Sequence, residues 1–219
     1  MHWLNYIRGK ESAPFTPGKI TYYQLFGNQW RCDDFAPTEK EMVFPLGEGE
    51  KTYRYNPFAP ATFKGGLSAN FGGNEWQDES PRYDILTFDT PAFTEKTAVK
   101  GKMTAKLRVK SNCEDTCFYI RVSLVKEEGL YGLRDDIQQI SNFDEAYVPG
   151  TEIDLDFSFD EHAFVIQPGE KLHIAVSSSA FPHYVRHTNQ RGLFSEQTTA
   201  KVADNTVICH QSSLTLPIE

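Results

Sequence analysis

Three adjacent serines, Ser177-Ser178-Ser179, lie close in the chain to His173, His183 and His187, and serine beside histidine is the raw material of nucleophilic acyl transfer. That chemistry needs more than the two residue types. The nucleophile must sit on a strained strand-to-helix elbow of the G-x-S-x-G kind, with a histidine base and an acid that orients it. No G-x-S-x-G occurs in the chain, no glycine precedes the serine run, and Phe181-Pro182 follows where a helix would have to begin. The serines therefore read as hydrogen-bonding groups at a strand end, and no catalytic residue is assigned.

Metal chemistry finds as little support. The histidines include no H-E-x-x-H pair, and Cys113-x-x-x-Cys117 lacks both the two-residue spacing and the second ligand pair of a zinc site. Cys32, Cys113, Cys117 and Cys209 read as reduced, partly buried thiols, which agrees with a cytoplasmic location. Glu152, Asp154 and Asp156 alternate with Ile153, Leu155 and Phe157, the pattern of a solvated strand face. His183 and His187 read as solvated loop residues. No glycine loop that would cradle phosphate precedes a helix, so no cofactor and no metal are expected.

The elements that must position these residues are strands. In 164–191 a Pro168-Gly169 turn leads into a run where Leu172, Ile174 and Val176 share one face and His173, Ala175 and Ser177 the other. Pro182 has no N–H for a ladder, so that strand ends near Ser178. The same period of two appears in 105–110 and 118–124. Shorter β-like runs occupy 20–26, 39–44, 51–55, 152–158, 207–208 and 214–216. Near the start, Trp3, Leu4 and Ile7 form one stripe of a short helix that Gly9 stops. Many short alternating strands with proline and glycine turns predict an all-β, antiparallel two-sheet sandwich. Within it, Trp30 reads as a core anchor under a turn, and Arg82 and Asp84 as a surface ion pair of little energetic weight. Gly65–Gly73 reads as a long loop crossing the sandwich surface.

Composition bounds the partners. The 22 basic and 30 acidic residues give a net charge of −8 without a lysine-arginine cluster, which argues against a nucleic-acid partner. The apolar runs are too short for a membrane-spanning helix.

Several segments resemble, in order, the C-terminal domain of the X-Pro dipeptidyl-peptidase and cocaine-esterase-like (CocE/NonD) serine hydrolases. Ser177-Ser178-Ser179-Ala180-Phe181-Pro182-His183-Tyr184-Val185-Arg186-His187 is similar to the family's SSSxFPrYxRN segment. Tyr53-Arg54-Tyr55-Asn56-Pro57-Phe58-Ala59-Pro60-Ala61-Thr62, followed by Gly65-Gly66, resembles its yxYDPxdPvPtxGG segment, with Asn56 in place of aspartate. Arg82-Tyr83-Asp84-Ile85-Leu86 is similar to its RxDVL segment, and Leu216-Pro217-Ile218 to its closing tail. Glu170 and His187 stand where the family has His and Asn.

The resemblance implies a jelly-roll sandwich of the galactose-binding-like type over 19–219, with 1–18 as the end of a hydrolase-domain helix and its linker. It implies a non-catalytic domain that packs on the α/β-hydrolase domain of the same polypeptide, where the family's Ser, Asp and His lie. It also implies that Gly65, Gly66, Leu67 and Phe71 reach the substrate cleft. Two other readings stay open. One is a carbohydrate-binding module with Trp76, Tyr131 and Tyr147 as an aromatic platform; the other is an assembly module that forms a homo-oligomer.

Overall fold

A computed structural model describes residues 2–9, 18–62, 76–77 and 82–219. The chain opens with α1 (His2–Ile7), β1 (Ile20–Gln24), β2 (Gln29–Asp33), β3 (Lys40–Pro45) and β4 (Glu50–Tyr55). It continues through β5 (Trp76–Gln77), β6 (Leu86–Asp89), β7 (Thr97–Gly101), β8 (Thr104–Ser111), β9 (Cys117–Lys126) and β10 (Gly129–Gln139). The last strands are β11 (Ile153–Ser158), β12 (His162–Ile166), β13 (Leu172–Ser177), β14 (Ala203–Ile208) and β15 (Ser213–Ile218). Gly9, just past α1, adopts a φ of +67°, the left-handed conformation that ends a helix.

The strands form an antiparallel sandwich. The smaller sheet has the order β5-β10-β9-β13-β6. The larger has the order β12-β7-β15-β8-β14-β4, with β11 added beside β8 and β3 beside β15. Alternation explains the layer between them. Leu107 and Val109 of β8, Leu155 and Phe157 of β11 and Leu214 and Leu216 of β15 meet Phe118, Ile120, Val122 and Leu124 of β9 and Ile174 and Val176 of β13 in one core. Tyr53 of the larger sheet and Phe118 of the smaller cross edge to face at 6.3 Å, which ties the sheets together. A bulge between Gly132 and Arg134 sets Leu133 into the same core, fully buried.

The acidic alternation on β11 is answered across the ladder: Asp154 pairs with Lys106 and Arg108, and Glu152 with Arg108. The outer face of β9 departs from simple alternation, because Tyr119 and Ser123 are buried too. The chain beyond β13 folds back over that face and brings Tyr184 to 5.9 Å from Tyr119, ring to ring.

β1 and β2 stand apart as a two-stranded hairpin. It is tied to β12 where Leu25 N donates to Ala163 O and Val165 N to Leu25 O. Lys100 also links it to the sandwich, lying 3.2 Å from Glu219 and 3.8 Å from Asp33, and Arg31 reaches Glu219 at 3.2 Å. This position corrects the expectation for Trp30. A hairpin outside the two sheets buries little of its outer face, and Trp30 is 72% exposed, with Tyr23 edge-on at 5.5 Å.

Candidate functional site

The serine run sits where the sequence places it, at the end of β13, and each hydroxyl is committed to a structural bond. Ser177 Oγ donates to Ser179 O at 3.0 Å. Ser178 Oγ lies 2.7 Å from Tyr53 Oη and accepts from Asn205 Nδ2 at 2.8 Å. Ser179 Oγ accepts from Ala61 N at 2.9 Å. All three serines are buried, and none of these partners is a histidine.

His183 and His187 are not the solvated pair expected of their loop; each lies largely buried beside its own carboxylate. His183 Nε2 is 3.7 Å from Asp135 Oδ2, and His187 Nε2 is 3.7 Å from Asp115 Oδ2. Burial pushes the His187 imidazole below its ordinary range against the pull of Asp115, so Nδ1 is left neutral to accept from Asn189 N at 3.0 Å. Among the described residues, no group of three or more His, Cys, Asp or Glu side chains could hold a metal ion.

What these bonds do is bring two loops together. After β4, Asn56 turns the chain: its Oδ1 accepts from Phe58 N at 3.0 Å and its carbonyl from Ala59 N at 2.9 Å. That turn holds Phe58 outward, 74% exposed. The next residues run beside the post-β13 segment, with Phe181 N donating to Ala61 O at 3.0 Å and Thr62 bridging Phe181. Arg186 donates to Pro57 O at 3.3 Å, and its guanidinium lies 5.3 Å from the Phe181 ring centre.

A third wall comes from 188–201, closed at its base where Lys201 N donates to Thr188 O at 2.9 Å. Asn189, at a φ of +62° and fully buried, pins this loop by donating to Lys201 O and accepting from Thr116 Oγ1. Gln197 crosses the loop interior, donating to Gln190 O and Gly192 O and accepting from Thr188 Oγ1. Together the walls enclose an open groove of about 340 Å³ whose apolar lining includes Phe58, Phe181, Pro182, Val185 and Phe194. Val185 is 71% and Phe194 57% exposed.

Gly65, Gly66, Leu67 and Phe71 lie outside the described residues, and the described residues that flank them in the chain are held in place. The Thr62–Phe181 bridge fixes one side. On the other, Arg82 clasps Asp84 through two bonds of 2.8 and 2.9 Å and reaches back to Ala59 O at 3.3 Å. This pair is not the surface bridge expected from the sequence, because the Asp84 carboxylate is buried under the Arg82 side chain.

The aromatic platform also fails at Tyr147, which is buried with its hydroxyl donating to Thr151 O at 2.8 Å. Tyr131 meets Phe26 edge to face at 5.1 Å. Phe58, Val185 and Phe194 carry no periodic pattern in the sequence. The available signal was apolar residues placed on turns, each flanked by proline or polar residues, where a folded core has no use for them.

Comparison with known proteins places this geometry. Residues 15–214 match the family model of the X-Pro dipeptidyl-peptidase C-terminal non-catalytic domain. The cocaine esterase of Rhodococcus sp. (strain MB1 Bresler) is 31% identical over 189 residues, covering 78% of this chain and 32% of that protein. Among solved structures, an aminopeptidase from a marine sediment Thaumarchaeota archaeon superposes with a TM-score of 0.83 at 17% identity, over 98% of this chain and 42% of its own. An alpha-amino acid ester hydrolase superposes with a TM-score of 0.81 at 18% identity, over 97% of this chain and 42% of its own. The chain thus spans less than half the length of these relatives.

Proposed function

Since the chain belongs to the X-Pro dipeptidyl-peptidase C-terminal non-catalytic domain family, we propose that it serves as the accessory β-sandwich of a serine hydrolase of the CocE/NonD or X-Pro dipeptidyl-peptidase type. It packs on the α/β-hydrolase domain of the same polypeptide and lends the loop carrying Gly65, Gly66, Leu67 and Phe71 to the wall of the substrate cleft. Chemistry takes place in the partner domain, through an acyl-enzyme on a serine that this chain does not supply.

The observation that carries this reading is the anchoring of that loop. The Thr62–Phe181 bridge and the Arg82–Asp84 clasp hold the described residues on either side of that stretch against the sandwich, which supports a fixed base for it. The commitment of all three serine hydroxyls to structural bonds supports a non-catalytic role.

The reading is tested with the full-length polypeptide. An antibody against this domain, used after fluorophosphonate labelling of source-cell lysate, is expected to recover a labelled band much heavier than 24.9 kDa. Leu67→Ala and Phe71→Ala in that polypeptide are expected to change KM or kcat/KM for its substrate while fluorophosphonate labelling persists. An unlabelled band at the mass of this chain alone would refute the proposal.

A further inference from the structure

We propose that the groove between Phe58, Phe181, Val185 and Phe194 is where the catalytic part of the polypeptide docks, through an apolar segment that brings a carboxylate to Arg186. This rests on the function proposed above and adds to it the surface, the chemistry of the contact and its consequence for the loop.

Exposure is the first argument. Phe58, Val185 and Phe194 are each more than half exposed yet line one continuous hollow, an arrangement that marks an interaction surface. Rigidity is the second. The walls are set by bonds internal to the domain, from Asn56 under the Phe58 turn to Asn189 and Gln197 within 188–201, so the occupant meets a formed site and little ordering entropy opposes docking.

Charge is the third. Among the described residues, Arg186 is the single charged side chain of the lining, on a chain whose net charge is −8. Its guanidinium spends one bond on Pro57 O and has further N–H donors for an acceptor on the occupant. Aromatic side chains together with an arginine are enriched in the core of interfaces. Length is the fourth: relatives that carry this fold hold more than twice as much chain, so the body needed to cover the groove is the accompanying part of the same polypeptide.

The docking bears on the cleft through one residue. Phe181 is both a wall of the groove and the bridge partner of Thr62, the stem of the loop carrying Leu67 and Phe71. A segment seated on Phe181 therefore bears directly on Thr62, through the bridge between the two.

Hydroxyl-radical footprinting read by mass spectrometry, on the full-length polypeptide and on this 219-residue chain, tests the proposal. Phe58, Val185 and Phe194 are expected to be modified several-fold less in the full-length polypeptide. Val43, exposed on β3, serves as the reference. Arg186→Glu is expected to restore labelling of Phe194 in the full-length polypeptide and Arg186→Lys to retain most of the protection, with both variants of the 219-residue chain still unfolding in one cooperative transition and losing only the small stability that the Pro57 bond and the Phe181 contact supply. Equal modification of the three residues in both samples overturns the docking face; if fluorophosphonate still labels the protein, the proposed function survives that result. Protection that grows with the concentration of the 219-residue chain alone means a second copy occupies the groove, and likewise overturns the proposal.

Discussion

Ser178 is held from two sides in the interior, by Tyr53 Oη and Asn205 Nδ2. Ser178→Ala strands both partners out of reach of water, and the expected loss is about 1–3 kcal/mol in urea unfolding. Ser177→Ala, which removes only a bond to a neighbouring carbonyl, is expected to cost less. His162 offers a pH test. Burial, aided by nearby Arg134, depresses its imidazole to about 3, so the folded chain keeps it neutral where an unfolded chain would protonate it near 6.5. Stability is therefore expected to be lost progressively as pH falls from about 6.5 towards 3, and His162→Phe to flatten that part of the curve. Asp135 and Asp136 act in the opposite sense, since burial raises both carboxyls and favours folding where they are protonated. Ring-proton NMR of His162 isolates the imidazole from the carboxylates. These roles were not legible in sequence: a serine or histidine shows its type there, while its partners arrive from strands far away in the chain.

At the scale of elements, alternation was the readable signal. The runs at 105–110, 118–124, 152–158 and 172–177 all became strands with their apolar faces in the core. What alternation could not reveal is how many faces of a strand are covered. Tyr119 is buried because the chain after β13 returns across it, and Trp30 is exposed because its hairpin lies off the sandwich. The hairpin turn has its own steric demand. A Cβ on Gly27 would stand 2.7 Å from Gln24 Oε1 and 3.1 Å from Val165 Cγ2, both on well-packed side chains. Gly27→Ala is expected to destabilise by about 1–3 kcal/mol and to loosen the hairpin from β12, seen as faster amide exchange at Leu25 and Val165. Arg82→Ala is expected to cost more than Arg54→Ala in the same unfolding assay. Asp84 is buried beneath its arginine, whereas the Arg54–Asp204 pair is open to solvent.

For the molecule as a whole, the sandwich was legible and its groove was not. The order of short segments from Tyr53 to Ile218 pointed to the right family. The groove, by contrast, is assembled from residues near 58, 181 and 194 that no local pattern connects. As a domain without a nucleophile elbow, the 219-residue chain is expected to take up no fluorophosphonate and to leave activated esters uncleaved. Hydrolysis at an enzyme-like rate by this chain alone would contradict that expectation.

The place of β15 has a consequence for biosynthesis. Residues 213–218 pair with β3, β7 and β8, so β15, made after every strand it pairs with, lies inside the larger sheet rather than at its rim. Until it leaves the ribosome, β8 and β3 each present a row of unpaired N–H and C=O groups. The nascent chain must therefore wait with its central sheet open, exposed to other strands and dependent on whatever shields it, and it closes only once synthesis has passed residue 218.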